Sequence, residues 1–217
     1  MRAWREGLRL AVGTLSRLPV PPPSRVDRPV ARVAMLLAPV AVLPLVAVWA
    51  AAHLLVEHTS APALLVGVGL VGVTVLYSRG LHLDGLANMA DGLSASHDRE
   101  RALAVMKTGD VGPRGAVALA VVVLAQAVAL GSLLTTWPGT ALAVVALVLS
   151  RHALAWGCSR SVPTARSEGL GAAVDGSVGP TSLLLPSSSR SPSARASPPE
   201  VVGMPGRSSL SPASCAR

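Results

Sequence analysis

Three stretches of this chain run apolar without a formal charge, and a fourth is interrupted only near its end. Val33 to Val56 covers 24 residues, Ala61 to Tyr77 covers 17, and Gly115 to Thr136 forms the third. Gly139 to about Gly157 is the fourth, with Arg151 and His152 in its last turns. A bilayer core of ~30 Å is crossed by about 20 helical residues, so each run suits a span and the second is near the lower limit. The pattern predicts an all-α, polytopic transmembrane bundle of four helices. Pro39 and Pro44 are expected to kink the first, as membrane helices tolerate. Ahead of the spans, residues 3–18 place Trp4, Leu8, Leu15 and Leu18 near one helical face, with Arg5, Arg9 and Arg17 elsewhere. That pattern suits a short amphipathic helix on an anionic membrane surface, stopped by the prolines between Pro19 and Pro23.

The periodicity ends near Thr181. The last 37 residues hold 11 Ser, 6 Pro and 4 Arg and no hydrophobic repeat, a composition expected to stay disordered. The chain therefore divides into a membrane domain, 1–180, and a Ser/Pro/Arg-rich tail, 181–217.

Composition sharpens the membrane reading. Hydrophobic residues make up 51% and charged residues 14%, with a mean hydropathy of +0.54; soluble domains carry about 25% charged residues. The net charge of +8 does not point to nucleic acid, because Phe is absent and Tyr occurs once, leaving no aromatics to stack bases. The charge instead sorts by loop. Seven Arg precede residue 33 and five Lys or Arg lie in 78–114, whereas 57–60 and 137–138 have none. Cytoplasmic loops carry the positive excess, so both ends and the 78–114 loop are expected on the cytoplasmic side of the cell (inner) membrane. No secretory signal peptide is evident, and Cys158 and Cys215 are too isolated for a disulfide framework or a zinc site. Of 19 basic residues only Lys107 is a lysine.

The candidate chemistry sits in that loop. Five of eleven acids, Asp84, Asp91, Asp98, Glu100 and Asp110, fall between residues 84 and 110. Asp84, Asn88 and Asp91 are spaced i, i+4, i+7, so a helix stacks them on one face. Stacked carboxylates favour a cation between them, and an oxygen donor set of this kind suits Mg²⁺ shared with phosphates. A solvated acidic face accounts equally for the spacing alone. His82 stands two residues before Asp84, as a base or a structural hydrogen-bonding residue. Lys107 leads into a Thr-Gly-Asp-Val-Gly-Pro turn that could cradle phosphate. Arg151 either snorkels to the interface or faces the bundle interior as an anion ligand.

The run Gly80-Leu81-His82-Leu83-Asp84-Gly85-Leu86-Ala87, with Ala90-Asp91-Gly92-Leu93, resembles the signature of the cobalamin synthase (adenosylcobinamide-GDP ribazoletransferase) family. Asp98 to Leu103, Val105-Met106-Lys107 and Asp110-Val111-Gly112 match as well. So do Leu15 to Pro21, Arg151 and Ala165 to Gly171, and the likeness covers roughly residues 8–180. The resemblance implies a Mg²⁺-dependent membrane phosphotransferase. It would join adenosylcobinamide-GDP and α-ribazole, or α-ribazole 5′-phosphate, to give adenosylcobalamin or its 5′-phosphate and GMP. It assigns catalysis to His82, Asp84, Asp91 and Lys107, the metal to Asp84, Asn88 and Asp91, and substrate binding to Asp110, Arg151 and Arg166.

Departures accompany the match. Asn88 replaces a favoured Asp, Arg114 an apolar or aromatic residue, and Ser/Pro/Arg sequence stands where the family continues into further helices. A frameshift near 175–190 is the expected origin of the tail, and little synthase activity is expected of this product. A CDP-alcohol phosphotransferase is the alternative, but its Asp-x-x-Asp-Gly-x-x-Ala-Arg pattern meets Leu81 at the first Asp and Asn88 at the Arg. A transporter or a non-enzymatic membrane subunit is the reading from a different class. A transporter would place its ionisable residues at mid-membrane, whereas here, apart from Arg151, they cluster in the 78–114 loop.

Overall fold

The computed structural model describes residues 2–95, 97–162, 164–165 and 169–179, and the 181–217 tail lies outside them. Among the described residues the chain is helical, with no strand beyond an isolated bridge between Ser159 and Val178. The helices are α1 (Arg2–Leu15), α2 (Arg28–Leu36), α3 (Leu43–His58), α4 (Ala63–Tyr77) and α5 (Leu81–Ala95). After them come α6 (Arg99–Val105), α7 (Pro113–Leu133), α8 (Trp137–Gly157) and α9 (Leu170–Val174).

The first expected span is divided rather than kinked. Asp27 caps α2 by accepting the Val30 N–H, and Pro29 sits in its first turn, so a helix starts well before Val33. Pro39 and Pro44 then impose a short 3₁₀ turn, Ala38–Val42, before α3 begins. A proline removes one backbone N–H and clashes with the preceding turn. The carbonyl of Ala41 is satisfied from outside by the Tyr77 hydroxyl, which donates to it at 2.6 Å. The apolar crossing is therefore 38–58, shifted from 33–56.

The 3₁₀ turn with α3, α7 and α8 give three segments of 21 residues long and apolar enough to cross a bilayer. This makes the chain a multi-pass membrane protein. The expected second span appears as α4, only 15 residues long, with α5 set at 91° to it after a sharp turn. At ~1.5 Å per residue α4 is about 22 Å long, short of a ~30 Å hydrocarbon core. The segment 78–114 that links the spans carries α5 and α6, with turns before, between and after them.

Small residues set the helix contacts, as in membrane bundles generally. A Cβ on Gly67 of α4 would lie 2.6 Å from the Ala127 carbonyl and 2.7 Å from the Gly131 nitrogen of α7. Trp49, Leu70, Leu130 and Leu147 join α3, α4, α7 and α8 in one buried cluster. At the far end of this cluster His53 is buried and its Nδ1–H donates to the Leu134 carbonyl at 2.7 Å, tying α3 to the α7–α8 turn.

The expected amphipathic helix 3–18 forms as α1, but its apolar stripe is split. Gly7, Ala11 and Leu15 are buried, with α1 packed on α2, whereas Trp4, Leu8 and Leu18 stay exposed. The spacing of the large residues concealed this, because the buried row is built largely from small ones.

Candidate functional site

The α4–α5 corner, the face of α5 and the turn into α7 hold most of the residues singled out by chemistry. α5 is fixed on two sides. A Cβ on Gly92 would meet the Met106 side chain and the Ala102 carbonyl, so α6 packs flush against it. Asp98 starts α6 by accepting the Glu100 and Arg101 N–H groups. On the other side Gly115 of α7 approaches the Ala87 carbonyl too closely for any side chain.

Asp84, Asn88 and Asp91 share one face of α5, as their spacing requires. Asp84 is exposed, and among the described residues its carboxylate has neither hydrogen bond nor ion pair. Asp91 is differently placed. Its Oδ2 accepts the Gly112 N–H at 2.8 Å and its Oδ1 accepts the Gly115 N–H at 2.8 Å. Gly112 is the N-cap residue of α7, so Asp91 satisfies two orphan donors at a helix N-terminus and sets a negative charge there. Both glycines are needed, since a Cβ on either would collide with the Asp91 carboxylate. Each Asp91 oxygen keeps a second lone pair. Arg114 extends the joint by donating to the Ser94 carbonyl at 2.8 Å.

Lys107 and Asp110 are exposed on the turn between α6 and α7, where Gly109 takes φ +77. This turn runs directly into Gly112, which places it beside Asp91. His82 belongs to another side of the helix, about 200° round α5 from Asp84 at ~100° per residue. It is half-buried, and its Nδ1 has no hydrogen-bond partner. Burial, and then the nearby charge of Arg151, hold His82 below the ordinary imidazole range. Arg151 is only 7% exposed, so it does not snorkel. One of its nitrogens donates to the Ser150 hydroxyl at 3.1 Å, its Nε has no partner, and no carboxylate pairs with it among the described residues. A buried, unpaired guanidinium is a strong attractor for an anion.

The structure thus brings His82 to Arg151, and Asp91 to the Lys107–Asp110 turn, with Asp84 and Asn88 on the acidic face. It does not gather all of them into one pocket. Arg166 lies outside the described residues. No group of three His, Cys, Asp or Glu residues that could hold a metal ion occurs among the described residues. The donors on α5 still fit Mg²⁺, which is commonly held by one or two carboxylates with phosphates completing its shell. The sequence places Gly112 in the phosphate turn but does not reveal that Gly112 and Gly115 both donate to Asp91. Their signal is an unexplained glycine pair at the start of an apolar helix.

A family model described as cobalamin-5-phosphate synthase matches residues 7–189. A Nocardioides protein named adenosylcobinamide-GDP ribazoletransferase is 49% identical over 170 residues, covering 78% of this chain and 73% of its own length. A Frankia casuarinae protein of the same name is 42% identical, covering 78% of this chain. This chain spans 64% of the Frankia protein's length, and 43% of a Syntrophobacter fumaroxidans relative that is 40% identical. No solved structure matches.

Proposed function

The chain belongs to the cobalamin-5-phosphate synthase family, and we propose on that premise that it joins adenosylcobinamide-GDP to α-ribazole or α-ribazole 5′-phosphate, releasing GMP. One observation supports this reading most directly. α5 presents an outward carboxylate, Asp84, without a protein partner, on a helix whose position is locked to α7 through Asp91. A rigid helix carrying a free oxygen donor beside a Lys-bearing turn suits a reaction in which the protein chiefly positions phosphates and stabilises charge.

In this reading Asp84 and Asn88, with the remaining lone pairs of Asp91, hold Mg²⁺. The ion supplies charge neutralisation on the phosphate oxygens. Lys107 contacts the phosphates and Asp110 orients a substrate hydroxyl from the adjoining turn. His82 is kept neutral by its surroundings, which suits it to hydrogen-bond a substrate group beside Arg151, while the attacking ribose hydroxyl gives its proton to solvent on the Asp84 face. Arg151 holds an anionic group from the inner side of α5, and Arg166 is assigned to substrate by family likeness alone. The phosphorus–oxygen bond to GMP breaks as the bond to the ribose oxygen forms. The charge distribution of the loops supports a cell-membrane location with the site on the cytoplasmic side.

The test is product formation by the purified chain from adenosylcobinamide-GDP and α-ribazole with magnesium. Asp84→Ala is expected to lower turnover by ~10²–10³, the usual loss when one charge-stabilising group goes. Near-normal turnover by that variant would sink the assignment of the acidic face, and no product from either the unaltered chain or a frame-restored version of it would sink the reaction. The expectation of little activity rests on residues 181–217, outside the described residues.

A further inference from the structure

α4 ends on a turn in which the Gly80 N–H donates to the Val75 carbonyl at 2.9 Å. Arg79 occupies the left-handed position of that turn, with φ +55, and Gly80 comes next with φ +72. Glycine ordinarily fills the first of these positions, because a Cβ there crowds the backbone. An arginine is therefore held against local preference, and strained non-glycine backbone gathers at binding and catalytic sites.

Arg79 lines an open cleft of about 720 Å³ with Arg17, Val75, Leu76 and Gly80. Arg17 is set by the turn that ends α1, where the Ser16 hydroxyl donates to the Val12 carbonyl and accepts the Leu18 N–H. Among the described residues neither guanidinium has a hydrogen bond or an ion pair. Two like charges on one cleft repel unless an anion lies between them. The other wall is apolar, and Leu76 is 64% exposed. A solvated cationic rim would account for Arg17. It does not account for an arginine where glycine is preferred.

We infer that this cleft binds a phosphate ester, with the Arg17 and Arg79 guanidiniums on the phosphate oxygens and Val75 and Leu76 against the apolar remainder. Guanidinium groups suit phosphate through paired, charge-assisted hydrogen bonds. A phospholipid headgroup and a soluble phosphate share this chemistry. The inference does not depend on the reaction proposed above, and its test uses no corrinoid.

The experiment takes the full chain in phosphatidylcholine nanodiscs without magnesium, titrated calorimetrically with inorganic pyrophosphate. A second arm measures retention of phosphatidylglycerol by native mass spectrometry. Each arm compares the unaltered chain with Arg17→Gln and Arg79→Gly. Binding of at least one probe should weaken about tenfold in each variant, the effect of losing one hydrogen bond to a charged group. Weakening confined to pyrophosphate identifies a soluble phosphate as the ligand, and weakening confined to phosphatidylglycerol identifies a lipid. Arg79→Gly should melt at a higher temperature while binding less, because glycine relieves the left-handed strain, so unfolding cannot explain its loss. Unchanged binding of both probes in the variants, or a lower melting temperature for Arg79→Gly, would overturn the inference.

Discussion

At the scale of single residues, Asp84 and Asp91 look alike in sequence and differ in the fold. Asp84 points outward without a protein partner, whereas Asp91 holds the first N–H groups of α7. Asp91→Ala should therefore destabilise the protein by about 1–2 kcal/mol, the range for a lost helix cap, as well as reduce turnover. Asp84→Ala should leave the melting temperature near that of the unaltered chain. Thermal melts of both variants in one detergent check this, and equal melting temperatures would show that the Asp91 bonds carry no weight. His82 gives a pH signature. Its pKa in the fold lies below the unfolded value, first through burial and then through Arg151. The unfolded chain then binds the extra proton more readily, so stability is retained above the ordinary histidine value of about 6.5 and falls as pH drops below it. Replacing His82 with Gln should flatten that acid limb of a melting-temperature profile; an unaltered limb would remove His82 as its source. The shared face of Asp84, Asn88 and Asp91 was legible because helical period is a local property. The partners of Asp91 were not, since they lie 21 and 24 residues further along and are chosen by the packing of α5 on α7.

At the scale of elements, glycine position separates contact from mere composition. Gly67 and Gly69 lie on the same helix, yet a Cβ on Gly67 would strike the backbone of α7 and one on Gly69 would meet nothing within 4 Å. Gly67→Ala should cost about 1–3 kcal/mol by forcing α4 away from α7, whereas Gly69→Ala should be neutral or slightly stabilising. Unfolding of the two variants side by side measures the difference, and equal stabilities would mean that α4 and α7 do not meet at Gly67. Apolar run length revealed α7 and α8 to within three residues at each end, because nothing within those runs competes with a helix. It failed over 33–56, where Asp27 and Pro29 start a helix early and Pro39 and Pro44 break the run in two. Within 78–114, run length says nothing, and α5 was legible only from the i, i+4, i+7 spacing of Asp84, Asn88 and Asp91. Charge marks a segment as outside the lipid but does not decide whether it is helical, and the Asp98 cap and the Gly92 contact make most of it so.

At the scale of the whole molecule, the loop charges predict a single orientation, with α5 and α6 on the cytoplasmic side. In a chain with its native cysteines replaced, a cysteine at Ser94 should resist a membrane-impermeant thiol reagent added to intact cells, and one at Thr59 should react. The reverse pattern would overturn the orientation. The 91° corner between α4 and α5 could not be read from run lengths, although Gly80 after an apolar run is a common mark of a helix end. That corner has a mechanical consequence. The neighbouring crossings are 21 residues long and α4 is 15, so with their far ends level its near end stops about 9 Å short of theirs. If the proposed site on α5 faces the cytoplasm, this helix should rest in a dimple of the bilayer, where the surrounding lipid thins to keep it wet. Hydrophobic mismatch carries a modest cost for each ångström, so acyl chain length becomes a dial on the enzyme. Turnover in vesicles should fall as fluid lipids of the same headgroup are lengthened, as the rising hydrocarbon closes over Asp84.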